Sequence, residues 1–406
     1  MNFRSYHVQT YLLSLICLLL AVAMIYYPKD VFDSAMAGLT LWGGVVFPSL
    51  LPFFILSEIL MGIGIVHFIG VLLEPLMRPL FNVPGVGAFA LSLGLASGYP
   101  MDAVITSNFR KNQLCSAVEA ERLLAFTNTA DPLFLFGAVA VGMFAMPEIG
   151  MTLAIAHYGA SVLIGLLFRF YGRSRDDLPS MTQVEGRIVS RAFASLIKAR
   201  HTDGRPFGKL VGDAVRKSMQ TGLVIGGFIV LCSVFLRILS AVGITDYLAL
   251  IFTLLLQLLS FDTASAYALV SGLFEIDLGT LAISESPAPL AEQLALVSGI
   301  VAWSGLSVHG QVASIVMETS ISMKPYIIAR MLHATLAGVI AYLLCEPAYA
   351  LSADIVLPVF QSHNSLSLID RIEHIASVLI LLLTALMTLS LIATLGYRLC
   401  HRIKKQ

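Results

Sequence analysis

Long apolar runs, cut at intervals by glycine, proline and small polar residues, make up most of this 406-residue chain. The runs at 8–27, 37–66, 120–146, 150–172, 217–243, 290–319, 325–346 and 373–398 each reach the ~20 residues that an α-helix needs to cross a bilayer. Two further apolar segments, 83–110 and 262–287, are broken in the middle, too long for one crossing and too interrupted to be continuous. They read as re-entrant helical hairpins whose tips reach the membrane interior. The pattern predicts an all-α, polytopic membrane protein with about eight transmembrane helices and two re-entrant hairpins.

The breaks repeat. Gly94 to Pro100 and Thr127 to Pro132 in the first half correspond to Gly272 to Asp277 and Gly305 to Gly310 in the second. A shift of 178 puts Gly94 on Gly272, Ser97 on Glu275, Asp131 on His309 and Pro132 on Gly310. Hydrocarbon does not tolerate unpaired backbone groups, so breaks at membrane depth survive where they line a cavity. Paired breaks in two halves of a chain point to a transporter binding site. The predicted organisation is an N-terminal span (1–36), a first repeat (37–172), a basic linker (173–216), a second repeat (217–346), and an external loop, last span and basic tail (347–406). Each repeat holds an odd number of spans besides its hairpin, which makes the two copies inverted.

Charge sets the orientation. Residues 173–217 hold ten of the 25 Lys and Arg residues against five acids, which places that linker in the cytoplasm by the positive-inside rule. The tail (Arg398, Arg402, Lys404, Lys405) and the base of the first hairpin (Arg78, Arg110, Lys111) are basic as well, whereas 347–372 has only Arg371 and faces outward. The first hairpin then enters from the cytoplasm and the second from outside. With 57% hydrophobic and 12% charged residues and zero formal net charge, the composition excludes a soluble domain and a nucleic-acid partner. The five cysteines are scattered and read as small membrane-core residues rather than disulfides or metal ligands. Ala21-Val22-Ala23 resembles a signal cleavage site, but the apolar run continues past it, which favours an uncleaved first span. Glycines 137, 142, 150, 222, 226 and 227 should let helices approach closely.

Polar groups beside the breaks are the candidate site, because charges at membrane depth are costly and mark function. Ser97, Gly98, Tyr99, Thr127, Asn128, Thr129, Glu275, Ser304 and Ser307 are the expected substrate contacts, with Gln311 nearby. Asp102, Asp131, Asp277 and His309 are the expected carriers of a proton or coupling ion; four carboxylates, Glu275 included, against one histidine point to proton-linked transport. On the plainer reading Ser97-Gly98 and Gly272 serve as turn residues, Pro100 and Pro132 as helix breakers, and His309 as a satisfied interior histidine. Glu58 and Arg237, 179 apart, form a second symmetric pair outside the site, bonded to each other or reaching the interface. There is no Walker A loop, HExxH, GxSxG or nucleotide-binding glycine fingerprint. Hence no catalytic residue, metal or cofactor is expected.

Several stretches together resemble the YlbJ/SpoVV family of sporulation integral membrane proteins. They are Val46–Phe54 (Val-Phe-Pro-Ser-Leu-Leu-Pro-Phe-Phe), Leu72–Phe81 (Leu-Leu-Glu-Pro-Leu-Met-Arg-Pro-Leu-Phe), Val83–Gly87, Ser97–Pro100, Ala120–Leu123, Phe126–Thr129 and Pro132–Phe144. The likeness is dense over 40–145 and thinner, though in register, through the second repeat. It implies a nucleoside-recognition or gate domain resembling half of a concentrative nucleoside transporter. It also implies a role in moving dipicolinic acid across the outer forespore membrane of sporulating Firmicutes. This chain departs from the family pattern at the site: Met101-Asp102-Ala103-Val104 stands where Met-Gly-Ala-Lys is usual, and Ala130-Asp131 where Ser-Asn is usual. Both changes act against a dianion unless protons or cations travel with it. The expected function is therefore a sporulation membrane transporter for a small anionic metabolite. The alternatives are a carrier of nucleosides or other uncharged solutes, or a non-transporting gating subunit whose partners are other sporulation membrane proteins.

Overall fold

The computed structural model describes residues 3–172 and 188–355, with positions 377, 384 and 388, and all the regular structure among them is helical. Five helical segments are long and apolar enough to cross a membrane among these residues, Pro28–Ile63, Ile149–Phe168, Phe207–Ala241, Leu290–Val316 and Met323–Cys345, the fourth of them interrupted at Ser304. Apart from positions 377, 384 and 388, the predicted last span, 373–398, lies outside the described residues, as does most of the external loop. The chain begins with α1 (Phe3–Tyr26) and turns at Tyr27 into α2 (Pro28–Ile63). Pro28 suits a first helical position, where its missing N–H would be unpaired anyway. Within α2 the residues Trp42–Val46 form a π turn directly before Pro48, where a proline would otherwise cost a hydrogen bond and clash with the preceding turn.

After α2 come α3 (65–81, ending in a second π turn around Pro79), the helix pair α4 (Gly87–Ser97) and α5 (Met101–Lys111), then α6 (Ala117–Thr127), α7 (Phe134–Met143, π-wound) and α8 (Ile149–Phe168). Ser116 and Glu119 form a reciprocal capping box that fixes the start of α6. The linker contains α9 (Ile188–Asp203). The second half holds α10 (Phe207–Ala241), α11 (Ile244–Leu258), the pair α12 (Ala266–Phe274) and α13 (Ile276–Ser284), then α14 (Leu290–Trp303), α15 (Gly305–Val316) and α16 (Met323–Ile355).

Several expectations need correction. The second span starts at Pro28 rather than 37, and the span expected at 217–243 starts at Phe207. The breaks expected at Thr127–Pro132 and at Gly305–Gly310 are present: the run 120–146 unwinds at 128–131, and the run 290–319 breaks at Ser304, one residue ahead of the expected stretch, with φ +70°. Helices α3 and α11 are additional to the expected spans. Pro75, Arg78 and Pro79 interrupt the first, and the second has 15 residues, too few to register as a crossing. The linker is partly structured: α9 packs on α3 and α2, its Arg191 pairs with Glu74, and Arg205 then bonds both Asp203 (2.6 Å) and Asp213 (3.0 Å). Those bonds hold the Asp203 carboxyl below its usual range. Helix α16 also extends into the loop expected from 347, as far as Ile355.

The same element order occurs twice. Helices opening at 28 and 65 recur at 207 and 244, both 179 positions on, and each half continues with a helix pair, a broken helix and a long helix. Contacts between the halves are reciprocal: α5 packs on α15 as α13 packs on α7, α6 on α16 as α14 on α8, while α2 meets α10 and α8 meets α16. Along α2 and α10 the numbering runs in opposite directions. Gly38 faces Ser233, Trp42 faces Gly226, Phe47 faces Gly222 and Gly62 faces Leu210, so these equivalent helices are antiparallel. Glycines 142, 150, 222 and 226 do sit where a Cβ would collide with Val45, Phe136, Phe47 and Trp42; Gly137 makes ordinary contact and Gly227 faces open space.

Candidate functional site

Where a helix unwinds inside a membrane protein, every freed N–H and C=O needs a partner. The break between α6 and α7 is held by two other helices. From α8, Ser161 Oγ donates to Phe126 O (2.6 Å), Tyr158 OH donates to Ala130 O (2.9 Å), and His157 Nε2 accepts from Ala130 N (3.0 Å). From α16, Arg330 donates through Nη1 to Asn128 O and through Nη2 to Ala125 O, both at 2.5 Å. The Asn128 side chain completes a buried network: its Nδ2 donates to Asp102 Oδ1 (2.8 Å) and its Oδ1 accepts from Tyr326 OH (3.0 Å). Thr127 Oγ1 lies 3.2 Å from Asp102 Oδ2.

Past the break, Asp131 caps α7. Its Oδ1 accepts from the N–H groups of Leu133 and Phe134, both at 2.9 Å. The first helix pair's tip meets this cap. Gly98 has φ +64°, and a Cβ there would fall 2.7 Å from Asp131 Oδ2, so the position requires glycine. The second half repeats the contact. Gly305 (φ +67°) touches the tip at Phe274 and Glu275, and the Glu275 side chain caps α13 by accepting from Leu278 N (3.0 Å). The α14–α15 break is held by Trp303 Nε1 donating to Leu273 O (3.0 Å) and Tyr99 OH donating to Val301 O (2.9 Å).

A cavity of about 400 Å³ lies between the two tips. Of the residues expected from sequence, Ser97, Tyr99, Asp131, Glu275, Asp277 and Ser307 line it, with Gln311 beside them. Gly98, Thr127, Asn128, Thr129, Ser304, Asp102 and His309 do not. Asn128 and Asp102 are both fully buried and spend their polar groups on each other and on α16. His309 hydrogen-bonds its own helix at Gly305 O (2.8 Å) and packs against Trp303, ring centroids 4.2 Å apart. Thr129 turns back to Thr127 O.

Two further corrections concern charge. Glu58 does line the cavity, and it pairs with Lys217 Nζ at 2.5 Å rather than with Arg237, whose guanidinium bonds Asp30 at the other end of the α2–α10 pair. His309 is also not the lone cation near the breaks: Lys217 stands in the wall and Arg330 is wholly buried behind it. Arginine in an apolar run was a legible signal, since an intramembrane charge marks function by default. His157, Tyr158, Ser161 and Tyr326 carried no comparable signal in the sequence.

Four helix N-termini converge on this cavity: α5 at Met101, α7 at Asp131 and Phe134, α13 at Ile276 and Asp277, and α15 at Ser307 and Val308. Side-chain carboxylates cap α7 and α13; α5 and α15 have no side-chain cap. Free N–H groups at a helix start, with the positive end of the dipole, favour a carboxylate or another hydrogen-bond acceptor. Against this, the Asp277 carboxylate is buried and its Oδ1 has no hydrogen-bond partner.

Residues 44–161, from the middle of α2 through most of α8, match a family model described as Gate: nucleoside recognition. Solved structures of CNTnw are similar in fold: an inward-facing, substrate-bound state has a TM-score of 0.44 at 12% identity, covering 85% of this chain and 87% of that one. An outward-facing state also gives 0.44 at 12% identity, with 86% and 88% covered. The chain is 46% identical over 359 residues, 88% of each protein, to the sporulation integral membrane protein YlbJ of Bacillus subtilis (strain 168). Identity at that level over both halves shows that this integral membrane protein belongs to the YlbJ family of sporulation proteins.

Proposed function

We propose that this protein is a carrier that moves a small carboxylate-bearing metabolite, dipicolinic acid, across the outer forespore membrane. The convergence of four helix N-termini on one cavity carries this reading. The start of α15, which has no side-chain cap, faces that cavity and can bind a carboxylate without a dedicated cation, whereas Met101 N and Ala103 N of α5 already donate to Gly98 O and Pro100 O, so α5 contributes the positive end of its dipole. Ser97 and Ser307 supply neutral donors around it, while the Tyr99 ring lines the wall with its hydroxyl bonded to Val301 O. Its volume of about 400 Å³ is within the range of small-molecule sites.

The two halves act as inverted repeats, joined by a cytoplasmic linker, with α4–α5 and α12–α13 as re-entrant hairpins entering from opposite faces. The antiparallel run of α2 against α10 and the reciprocal contacts support that arrangement. Asp131, Glu275 and Asp277 make the wall acidic, so a dianion moves together with protons or a cation. That requirement follows from the cost of uncompensated charge at membrane depth. Thr127, Asn128, Thr129, Ser304 and Asp102 serve to hold the broken helices in register.

A second reading, transport of a nucleoside or another uncharged solute, is favoured by the nucleoside-recognition match over 44–161. Sporulating cells lacking the protein separate these readings. A dipicolinate carrier leaves spores without dipicolinate while the mother cell still makes it. Normal spore dipicolinate would refute the proposal. A non-transporting subunit would instead leave function intact when Ser97 and Ser307 are both replaced by alanine.

A further inference from the structure

The C-terminal ends of the two broken half-helices lie against one side chain. Helix α6 ends at Thr127 and α14 at Trp303. Arg330 of α16 donates to Ala125 O and Asn128 O of the first and reaches Ala302 O of the second at 3.5 Å. The last carbonyls of a helix have no intrahelical donors and carry roughly half a negative charge between them. In carriers built on discontinuous helices, such carbonyls are where Na⁺ or H⁺ is coordinated. Here the guanidinium occupies that position. It is wholly buried, and a buried arginine keeps its charge where a lysine would tend to lose it.

Its hydrogen bonds run to three backbone carbonyls rather than to a carboxylate, and the Tyr326 ring lies 5.6 Å from its carbon centre. Asp102 is one step away, through the Asn128 amide. The first repeat offers no counterpart: the position 178 residues earlier is Thr152. One arginine therefore serves both breaks.

We infer that Arg330 is a tethered counter-cation for the two half-helix C-termini and takes the place of a coupling metal ion there. Its consequence for coupling, Na⁺-independent uptake, rests on the transport reading. Its consequence for stability does not. The test is thermal unfolding of the purified full-length protein, followed by the fluorescence of Trp42 and Trp303, in NaCl and in choline chloride at equal ionic strength. The parent protein should unfold within about 1 °C in the two salts, whereas Arg330→Met should unfold earlier in choline and regain about 3 °C or more in NaCl or LiCl.

A cap with a purely structural role would lower stability equally in every salt. Arg330→Met insensitive to the cation would therefore overturn the inference. So would a parent protein stabilised by Na⁺ with Arg330 intact. If Arg330→Met does not fold, Arg330→Gln carries the same comparison, and the parent's own response to Na⁺ tests the inference independently of either variant. Failure of dipicolinate uptake alongside the expected salt pattern would remove the transport reading and leave the counter-cation in place.

Discussion

Asp131 performs two separable tasks, and two substitutions pull them apart. Its Oδ1 accepts from the N–H groups of Leu133 and Phe134 at 2.9 Å, while its carboxylate adds a negative charge to the cavity wall. Asparagine is as good an N-cap as aspartate, so Asp131→Asn should change stability by less than about 0.5 kcal/mol. Alanine removes the cap and leaves two buried N–H groups without acceptors, a loss of about 2–4 kcal/mol.

The charge acts on the ligand instead. A unit charge about 4 Å from a ligand carboxylate costs about 1 kcal/mol at the dielectric of water and about 4 kcal/mol at an effective value near 20. Binding of dipicolinate to Asp131→Asn should therefore tighten at least about fivefold. Titration calorimetry on the purified protein, with unfolding followed in parallel, reads both quantities. Unchanged or weaker dipicolinate binding in a stably folded Asp131→Asn would refute the assignment of Asp131 to an anion-facing wall. Equal destabilisation by asparagine and alanine would refute its role as a cap.

Asn128→Leu should lower stability by about 2–5 kcal/mol, because it strands the Asp102 carboxylate and the Tyr326 hydroxyl in a dry interior; denaturation of the detergent-solubilised protein measures this, and a loss below about 0.5 kcal/mol would contradict the buried network. Dipicolinate uptake should rise as pH falls from about 8 to about 6, since protons offset the charge of a dianion beside Asp131, Glu275 and Asp277, and Asp131→Asn should flatten that slope. An uptake rate indifferent to pH would remove proton coupling. In a background without native cysteines, a label at Ser362 should react from outside and one at Ser190 from the cytoplasm. Reaction of both from the same side would break the inverted topology.

The repeat was legible in the sequence because glycine and polar punctuation at Gly94/Gly272 and Ser97/Glu275 keeps its spacing while the surrounding apolar residues drift. The two helix pairs turn at 98–100 and at Glu275, where that punctuation falls. The interruptions after Thr127 and before Gly305 were legible as breaks, because glycine, proline and polar residues punctuate both apolar runs; that Ser304 itself takes φ +70° was not, since one such residue leaves no mark on an apolar run. Which polar groups face the cavity was not legible either. Asn128, Asp102 and His309 are polar for the sake of unwound backbone and of each other, and only the positions of α8 and α16 decide that. The same holds for α3 and α11, whose short or proline-cut runs lack the length by which a span is recognised.

A dipicolinate carrier must admit and pass a dicarboxylate through the cavity between the two tips. Uptake of labelled dipicolinate by liposomes bearing the purified protein tests it most directly, with protein-free liposomes and a Ser97→Ala/Ser307→Ala double variant as controls. The expected result is saturable uptake that excess unlabelled dipicolinate suppresses, that excess nucleoside leaves unchanged, and that the double variant reduces at least about tenfold, as the loss of two hydrogen bonds to a charged ligand would. Uptake no greater than in protein-free liposomes, or uptake abolished by nucleoside, would contradict it.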